Sequence, residues 1–251
     1  MFKNKFKAFS IHLALSVILV SIITSAIIYF WYPLDYLGIT SFKEITLLII
    51  SIDLIMGPVL TFVVFNPNKK SLKFDLTVIV ALQLSALTYG SYYLYQGHPV
   101  FITYAKGSFT LVNAQLAKPE KAKYNEYRIT KLSSAKLAYA EIPNDIIEKN
   151  KLLEESMSGG PDLEERVDLY KPYEQHINDI ISKSLDASEI FSDKELKFKT
   201  SKFFSKHGDN IDQFAFLPLE GSTDDAIIVL NKKSAEFITT INIDPWKYVK
   251  K

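Results

Sequence analysis

A carboxylate set in the middle of an apolar run is the residue in this chain whose chemistry is hardest to accommodate. Asp53 lies near the centre of ITLLIISIDLIMGPVLTFVVF, Ile45 to Phe65, where every other residue is uncharged. An ionised carboxylate at the centre of a bilayer costs at least about 2.5–3.5 kcal/mol, so Asp53 must face other helices, be paired or be protonated. Gln83 and His12, in two further apolar runs, are the polar groups of the chain that could meet it. Counting from the ends of the runs places Gln83 several ångströms further toward the inner face than Asp53, so a direct bond requires helix tilt. Shortly after Asp53, Gly57-Pro58 removes a side chain and a backbone donor at one point. That should kink the helix and free a carbonyl near Ser51 or Leu54. Asp53, Gly57, Pro58 and Gln83, with Tyr89 and Gly90 further along the third run, are the candidate partner-binding residues. They form either a docking notch for a helix of another protein or a kink and polar clasp that holds the chain's own helices together. The residues alone favour the clasp. A proton relay is a third reading, with no chain of acids leading away from Asp53 to support it.

The rest of the chain offers little that could catalyse a reaction. His98, His176 and His207 are far apart and lack metal-ligand spacing. Ser158-Gly159-Gly160 lacks the strand and G-x-S-x-G frame of a hydrolase nucleophile. Glu164 and Glu165 read as solvated charges, as do Asp224 and Asp225 in a turn, and Gly221 reads as a turn residue rather than a phosphate cradle. The chain has no Cys, which removes thiolate catalysis, Cys-ligated zinc and disulfides together. A net charge of +1 gives no concentrated basic face for nucleic acid. The expectation is a non-enzymatic protein with no metal, no cofactor and no small-molecule substrate.

The elements that position Asp53 are three membrane spans, expected at about 8–32, 45–65 and 76–96. No charged residue lies between Lys7 and Asp35, and the third run is LTVIVALQLSALTYGSYYLYQ. At 1.5 Å per residue each covers a hydrocarbon core of about 30 Å. A cleaved signal peptide is the alternative for the first run, but its apolar stretch is too long and no small-x-small site breaks from a polar segment behind it. The second and third runs lack the polar stripe of a buried hairpin in a soluble core. Lys3, Lys5 and Lys7 precede span one, and Lys69, Lys70 and Lys73 lie between spans two and three. Short Lys-rich loops stay cytoplasmic, so the N-terminus is expected inside and the C-terminal part outside. Tyr29, Phe30, Trp31 and Tyr32 end span one, and Tyr89, Tyr92, Tyr93 and Tyr95 end span three, where such rings prefer the headgroup level.

Charge then divides the chain into two materials, residues 1–97 with a net of +3 and residues 98–251 with −2. The longest cytoplasmic piece, Asn66 to Phe74, leaves no room for a kinase, cyclase or nucleotide-binding domain. Three spans without an internal repeat also make a poor solitary transporter. The outward part, 98–251, reads as an α+β domain with an antiparallel sheet of about five strands, covered on one face by helices. HPVFITYAKGSFTLVNAQL predicts a hairpin turning at Gly107-Ser108. AKPEKAKYNEYRITK reads as a loop or short helix. PNDIIEKNKLLEES and PDLEERVDLYKPYEQHINDIISKSL carry helical spacing, divided by Ser158-Gly159-Gly160-Pro161, with helices beginning at Pro143 and Pro161 and the second kinked or divided at Pro172. Phe214 to Leu219, Ala226 to Leu230 and Phe237 to Ile243 predict three antiparallel strands, with a turn at Lys232 and Lys233. Trp246 should pack on the sheet end or lie at the membrane surface.

Assembled, these pieces resemble the type IV pilin accessory proteins of the TfpX/TfpZ kind. The resemblance lies in IHLALS, in SIDLIMGPVLTFVVFNPNKKSLKFDL and in ALQLSALTYGSYYLYQGHPVF, and is dense from Ile11 to Phe101. The D-L-x-x-G-P-x-L-T block from Asp53 to Thr61 is its most specific part. V-F-x-P-x-K and F-D-L follow it, and F-x-P-L-x-G at Phe216 to Gly221 and Pro245-Trp246 close the pattern. Where family members place an Arg before the Pro after span three, this chain has His98, and Lys106-Gly107 replaces an acidic-Arg pair in the first outward hairpin. The resemblance implies a bacterial inner-membrane helper of type IV pili, not an enzyme, with a pilin subunit and the pilus assembly machinery as partners. A membrane-anchored factor for another envelope complex, and a membrane-surface enzyme around Tyr89 to His98, are the rival readings.

Overall fold

The structure is a computed structural model and describes residues 2–130, 132, 134–192, 201, 203–206, 208 and 210–249. It forms two compact units, Met1–Pro33 with Ser41–Gly97, and Leu34–Thr40 with His98–Lys251. His207 lies outside the described residues.

The first unit consists of helices α1 (Phe2–Phe30), α2 (Phe42–Val64) and α3 (Leu72–Gly97), each long and apolar enough to cross a bilayer. Most of their apolar side chains are bare, Leu15, Ile22, Leu47, Val63 and Leu82 among them. Such a surface suits lipid and not water. α2 is the central helix, with α1 packed along Gly57–Val64 and α3 along both halves. Lys5 Nζ donates to the Val63 carbonyl at 3.1 Å, placing a cation at the C-terminal turn of α2 where the helix dipole favours it. Tyr32 departs from the expected aromatic belt. It is buried and its hydroxyl donates to the Leu94 carbonyl at 2.8 Å, while Tyr29, Tyr89, Tyr92 and Tyr93 are exposed.

The connection Leu34–Thr40 belongs to the second unit. The Thr239 hydroxyl donates to Asp35 Oδ1 at 2.5 Å and the Thr240 hydroxyl to the Asp35 carbonyl at 2.6 Å. Ile39 is fully buried there. Chain between α1 and α2 shares a fold with chain after α3, which requires both on one side of any membrane the helices cross. Three crossings meet that condition.

The second unit is built on one sheet. Its elements are β1 (Pro99–Ala105), β2 (Ser108–Asn113), β3 (Lys136–Ala140), α4 (Ile146–Met157), β4 (Tyr170–Lys171), α5 (Ile177–Ser182), α6 (Ala187–Ser192), β5 (Phe214–Glu220), β6 (Ala226–Asn231) and β7 (Phe237–Ile241). The strand order is β4-β3-β1-β2-β5-β6-β7. The expected hairpins are present, β1 with β2 and β5 with β6 and β7, all antiparallel. The expected five-stranded antiparallel sheet is corrected to seven strands and mixed direction, since β1 pairs with β3 and β2 with β5 in parallel. The two missed strands are weak signals. KLAYA shows no strong alternation, because two of its five residues are Ala, and β4 has only two residues. Parallel pairing joins segments far apart in sequence and leaves no turn motif to read.

Helices on one face is also corrected. Along β5, Ala215, Leu217 and Leu219 enter one apolar cluster and Phe214 and Phe216 another, and β6 divides in the same way. The first cluster is closed by Tyr36, Ile39, Tyr173 and Ile180, the opposite face by Ile190, Phe203 and Tyr248. A sheet covered on both faces has near-continuous apolar strands, as β1 and β5 do. The region after Pro161 is not one kinked helix. It breaks into short 3-10 turns around β4, and regular helix resumes only at α5. Tyr127, Tyr170 and Tyr173 are buried there and take the place of a helical stripe. α4 starts at Ile146, capped by the Asp145 carboxylate, rather than at Pro143. Arg166 clasps this region, donating through Nε and Nη2 to both oxygens of Asp168 at 3.0 Å. That pair of bonds holds the Asp168 carboxyl below its ordinary range.

Candidate functional site

The site begins with a local event in α2. Ser51–Met56 winds as a π-helix, and the Gly57 N–H donates to the Ile52 carbonyl instead of the Asp53 carbonyl that an α-helix would offer it. Pro58, next in line, has no N–H to give. The carbonyl that the shifted Gly57 bond frees is therefore that of Asp53. Gln83 Nε2 from α3 donates to it at 3.1 Å. The expected need for tilt disappears, because Gln83 meets the Asp53 backbone.

The network continues to α1. His12 Nε2 lies 2.8 Å from Gln83 Oε1, and His12 Nδ1 lies 2.6 Å from Thr61 Oγ1. Gln83 uses its amide nitrogen on Asp53, so its oxygen must accept from His12 Nε2–H. In a neutral ring Nδ1 is then the acceptor and the Thr61 hydroxyl the donor. One chain of hydrogen bonds thus ties all three helices at the level of Asp53. Bonds of this kind inside a membrane are worth about 0.6 kcal/mol each on average.

Gly57 makes the clasp possible. A Cβ on it would stand 2.0 Å from Gln83 Nε2, so the space that a docking notch would use is filled from within the chain. Gly90 plays a similar part, its missing Cβ being replaced by Ile49. Tyr89 is two-thirds exposed and its ring lies 6.0 Å from that of Tyr93. The structure thus brings together Asp53, Gly57, Pro58 and Gln83, and leaves Tyr89 and Gly90 outside the network. His12 and Thr61 complete it. Thr61 carried a signal in the sequence, since Asp53, Gly57 and Thr61 recur every fourth residue and share one helical face.

The Asp53 carboxylate lies beside this clasp. The residue is only 4% exposed, yet Oδ2 has no hydrogen-bond partner among the described residues. Asp53 is one of the residues that line a cleft of about 640 Å³ between α1 and α3, floored by α2. Ala8, Ile11, Leu15 and Leu19 form one wall, Leu76, Val80 and Leu84 the other, with Lys7 at one end.

The other sequence candidates take structural roles. Ser158-Gly159-Gly160 ends α4, with Gly160 N–H on the Glu155 carbonyl and Gly159 N–H on the Ser156 carbonyl, the Schellman pattern. Glu164 pairs with Lys106 at 3.1 Å, and Glu165 completes a capping box with Asp162. Asp225 accepts from the Trp246 indole at 2.6 Å, which places Trp246 beside the β5–β6 turn. His176 stacks on Tyr139 with ring centres 3.8 Å apart, and His98 is fully buried. No cluster of three or more His, Asp or Glu with metal-ligand geometry occurs among the described residues.

Comparison with known proteins connects this arrangement to an organelle. The chain is 26% identical over 253 residues to the fimbrial assembly protein of serogroup I from Dichelobacter nodosus, covering 96% of each chain. The serogroup E1 protein is 27% identical with the same coverage. The protein of serogroups C1 and C2 is 34% identical over 109 residues, which span 43% of this chain and 83% of the relative. The chain belongs to the fimbrial assembly protein family. For this family member the full-length match covers both units, the three apolar helices and the sheet alike. No protein-family model matches the chain, and no solved structure matches it.

Proposed function

We propose that this fimbrial assembly protein is a type IV pilin accessory factor of the TfpX/TfpZ kind, which binds the pilin subunit and supports its assembly into the pilus. The observation that carries the reading is the match to fimbrial assembly proteins over both units, joined to an apolar cleft among the three helices that Asp53 helps to line. A pilin subunit combines an apolar helix with a globular head. A chain with three spans and one outer domain can touch both, acting as a chaperone and not as an enzyme.

The chain sits in the bacterial inner membrane with its N-terminus in the cytoplasm and the sheet-bearing unit in the periplasm. Lys3, Lys5, Lys7, Lys69, Lys70 and Lys73 support that direction, lying at the same end of the three helices. A reporter enzyme active only outside the cytoplasm is expected to be active when fused after Lys251 and silent when fused at Lys70. The reverse pattern would overturn the orientation.

Deletion of the gene, with surface pili and total pilin both counted, tests the role. The expected result is a loss of surface pili of roughly tenfold or more, the size of effect that a coupling near 1.4 kcal/mol produces, restored by the wild-type gene. Unchanged pili would contradict the proposal.

A further inference from the structure

We infer that a pocket in the sheet-bearing unit is the seat of an arginine side chain presented by the partner protein, held between aromatic rings and carboxylates. The inference rests on the reading of this chain as a pilin-binding factor and names the chemistry by which the sheet-bearing unit holds its partner.

The pocket has a volume of about 590 Å³ and lies where the two ends of the sheet approach each other, with the start of β3 on one side and the start of β7 on the other. The Tyr173 hydroxyl donates to the Ala235 carbonyl at 2.9 Å, which ties the chain after β4 to the turn before β7. Tyr36, Tyr127, Tyr173 and Phe237 supply aromatic walls, and the rings of Tyr36 and Phe237 stand 5.5 Å apart. The charged residues that line it are Glu126, Glu174 and Glu236 against Lys136, a net of −2. Lys136 leaves the carboxylates unpaired. Its Nζ donates to the Glu126 backbone carbonyl at 2.8 Å and stands 5.5 Å from the centre of the Tyr127 ring, so that ring already attracts a cation. Among the described residues no ion pair involves Glu126, Glu174 or Glu236. Burial, then the charge of Glu126, pushes the Tyr127 hydroxyl above its ordinary range, as a negative pocket requires.

Tyr36 adds a second, independent sign of a ligand. The residue is only 4% exposed and lines the pocket, and its hydroxyl, which is not sealed from solvent, has no hydrogen-bond partner among the described residues. A buried tyrosine hydroxyl usually finds a partner, so this one is left for a group that enters the pocket. Water can meet the hydroxyl but not the aromatic faces and the carboxylates with it. A guanidinium meets all three. It is planar and stacks on aromatic rings, pairs with carboxylates through two N–H groups and keeps further N–H groups for an oxygen acceptor. A lysine ammonium is a more strongly hydrated point charge and gains less from such walls.

Two probes of one shape test this on the full chain purified in detergent, acetyl-arginine amide and acetyl-citrulline amide, the second of which lacks the charge. Saturation-transfer NMR is expected to show the arginine compound bound roughly tenfold more tightly than the citrulline compound. Glu174→Gln together with Glu236→Gln should weaken arginine binding roughly tenfold, since two exposed charge pairs are lost. Tyr36→Phe, which keeps the ring and removes the hydroxyl, should weaken it roughly threefold. Glu174 and Glu236 are exposed, and the one side-chain bond between them, from Ser234 to Glu236, stays within its own turn, so the double variant keeps its fold. Absence of arginine binding, equal binding of the two compounds, or arginine binding unchanged in the double variant would overturn the inference. In cells, pilin captured by the tagged chain should fall roughly tenfold in the double variant. If wild type and double variant capture pilin equally, the pocket inference falls and the pilin reading stands. If arginine binding depends on the two Glu residues while the wild-type chain captures no pilin, the pocket stands and the pilin reading falls.

Discussion

Alanine at Gly221 is expected to lower the thermal midpoint of the sheet-bearing unit by roughly 6–12 °C, the largest effect of any single methyl group added to this chain. A Cβ on Gly221 would stand 2.2 Å from the Asp224 carbonyl oxygen and 2.4 Å from that of Ile39. Both are backbone atoms, so neither can turn aside as a side-chain end could. The Ile39 carbonyl also accepts from the N–H groups of Ser222 at 2.9 Å and Thr223 at 3.3 Å, so moving it breaks the bonds that hold the Leu34–Thr40 connection against the turn. Overpacking costs about 1–3 kcal/mol and occasionally more, and the upper end applies where the obstruction is backbone. For a unit of this size each kcal/mol lowers the midpoint by about 2–4 °C. Circular dichroism of the purified chain in detergent measures it. A drop of less than about 2 °C, under one kcal/mol, would show that the turn relaxes freely.

The second large effect is a failure of additivity in the membrane helices. Gly57→Ala should drive Gln83 from the site, because the new Cβ would crowd out its Nε2. The bonds of Gln83 to the Asp53 carbonyl and to His12 are lost with it. Gln83→Ala loses the same bonds directly. Each change is expected to cost about 1–2 kcal/mol, from two intramembrane hydrogen bonds of about 0.6 kcal/mol and a carbonyl left bare. The double variant should cost little more than either alone, a coupling of about 1 kcal/mol. Unfolding of the helices in detergent by increasing dodecyl sulfate measures all four corners of the cycle. Additive costs would mean that Gly57 serves something other than Gln83, as a docking notch would require.

How far the sequence disclosed this arrangement depends on the length of the signal at each place. Three helices were legible because hydrophobicity sustained over about 20 residues suits a membrane span and little else. The β1–β2 hairpin and the turn at Lys232 and Lys233 were legible because local pairing leaves turn residues in the sequence. β3 and β4 were hidden, since five residues with two Ala and a pair, Tyr170-Lys171, cannot display a period. Coverage of the second sheet face was hidden because it comes from scattered aromatics, Phe191 and Phe203 with Tyr248, which follow no stripe. At the candidate site, Asp53, Gly57, Pro58 and Gln83 were picked out by polarity or backbone chemistry inside apolar runs. Which carbonyl they free was not legible. An α-helical count points to the partners of the proline, whereas the π-turn at Ser51–Met56 shifts the bond of Gly57 by one residue and exposes Asp53. The orphaned Oδ2 is a property of three helices together, and no one run contains it.

Binding of the pilin is the claim on which the account turns, and co-purification tests it most directly. The chain, tagged at its C-terminus, is crosslinked in cells, extracted in detergent and captured, and the recovered pilin is quantified against that captured by a tagged three-span protein unconnected with pili. The account predicts pilin in roughly tenfold excess over that control, as expected for an affinity advantage of about 1.4 kcal/mol or more. Pilin recovered at the control level, from cells in which both proteins are abundant, would contradict it.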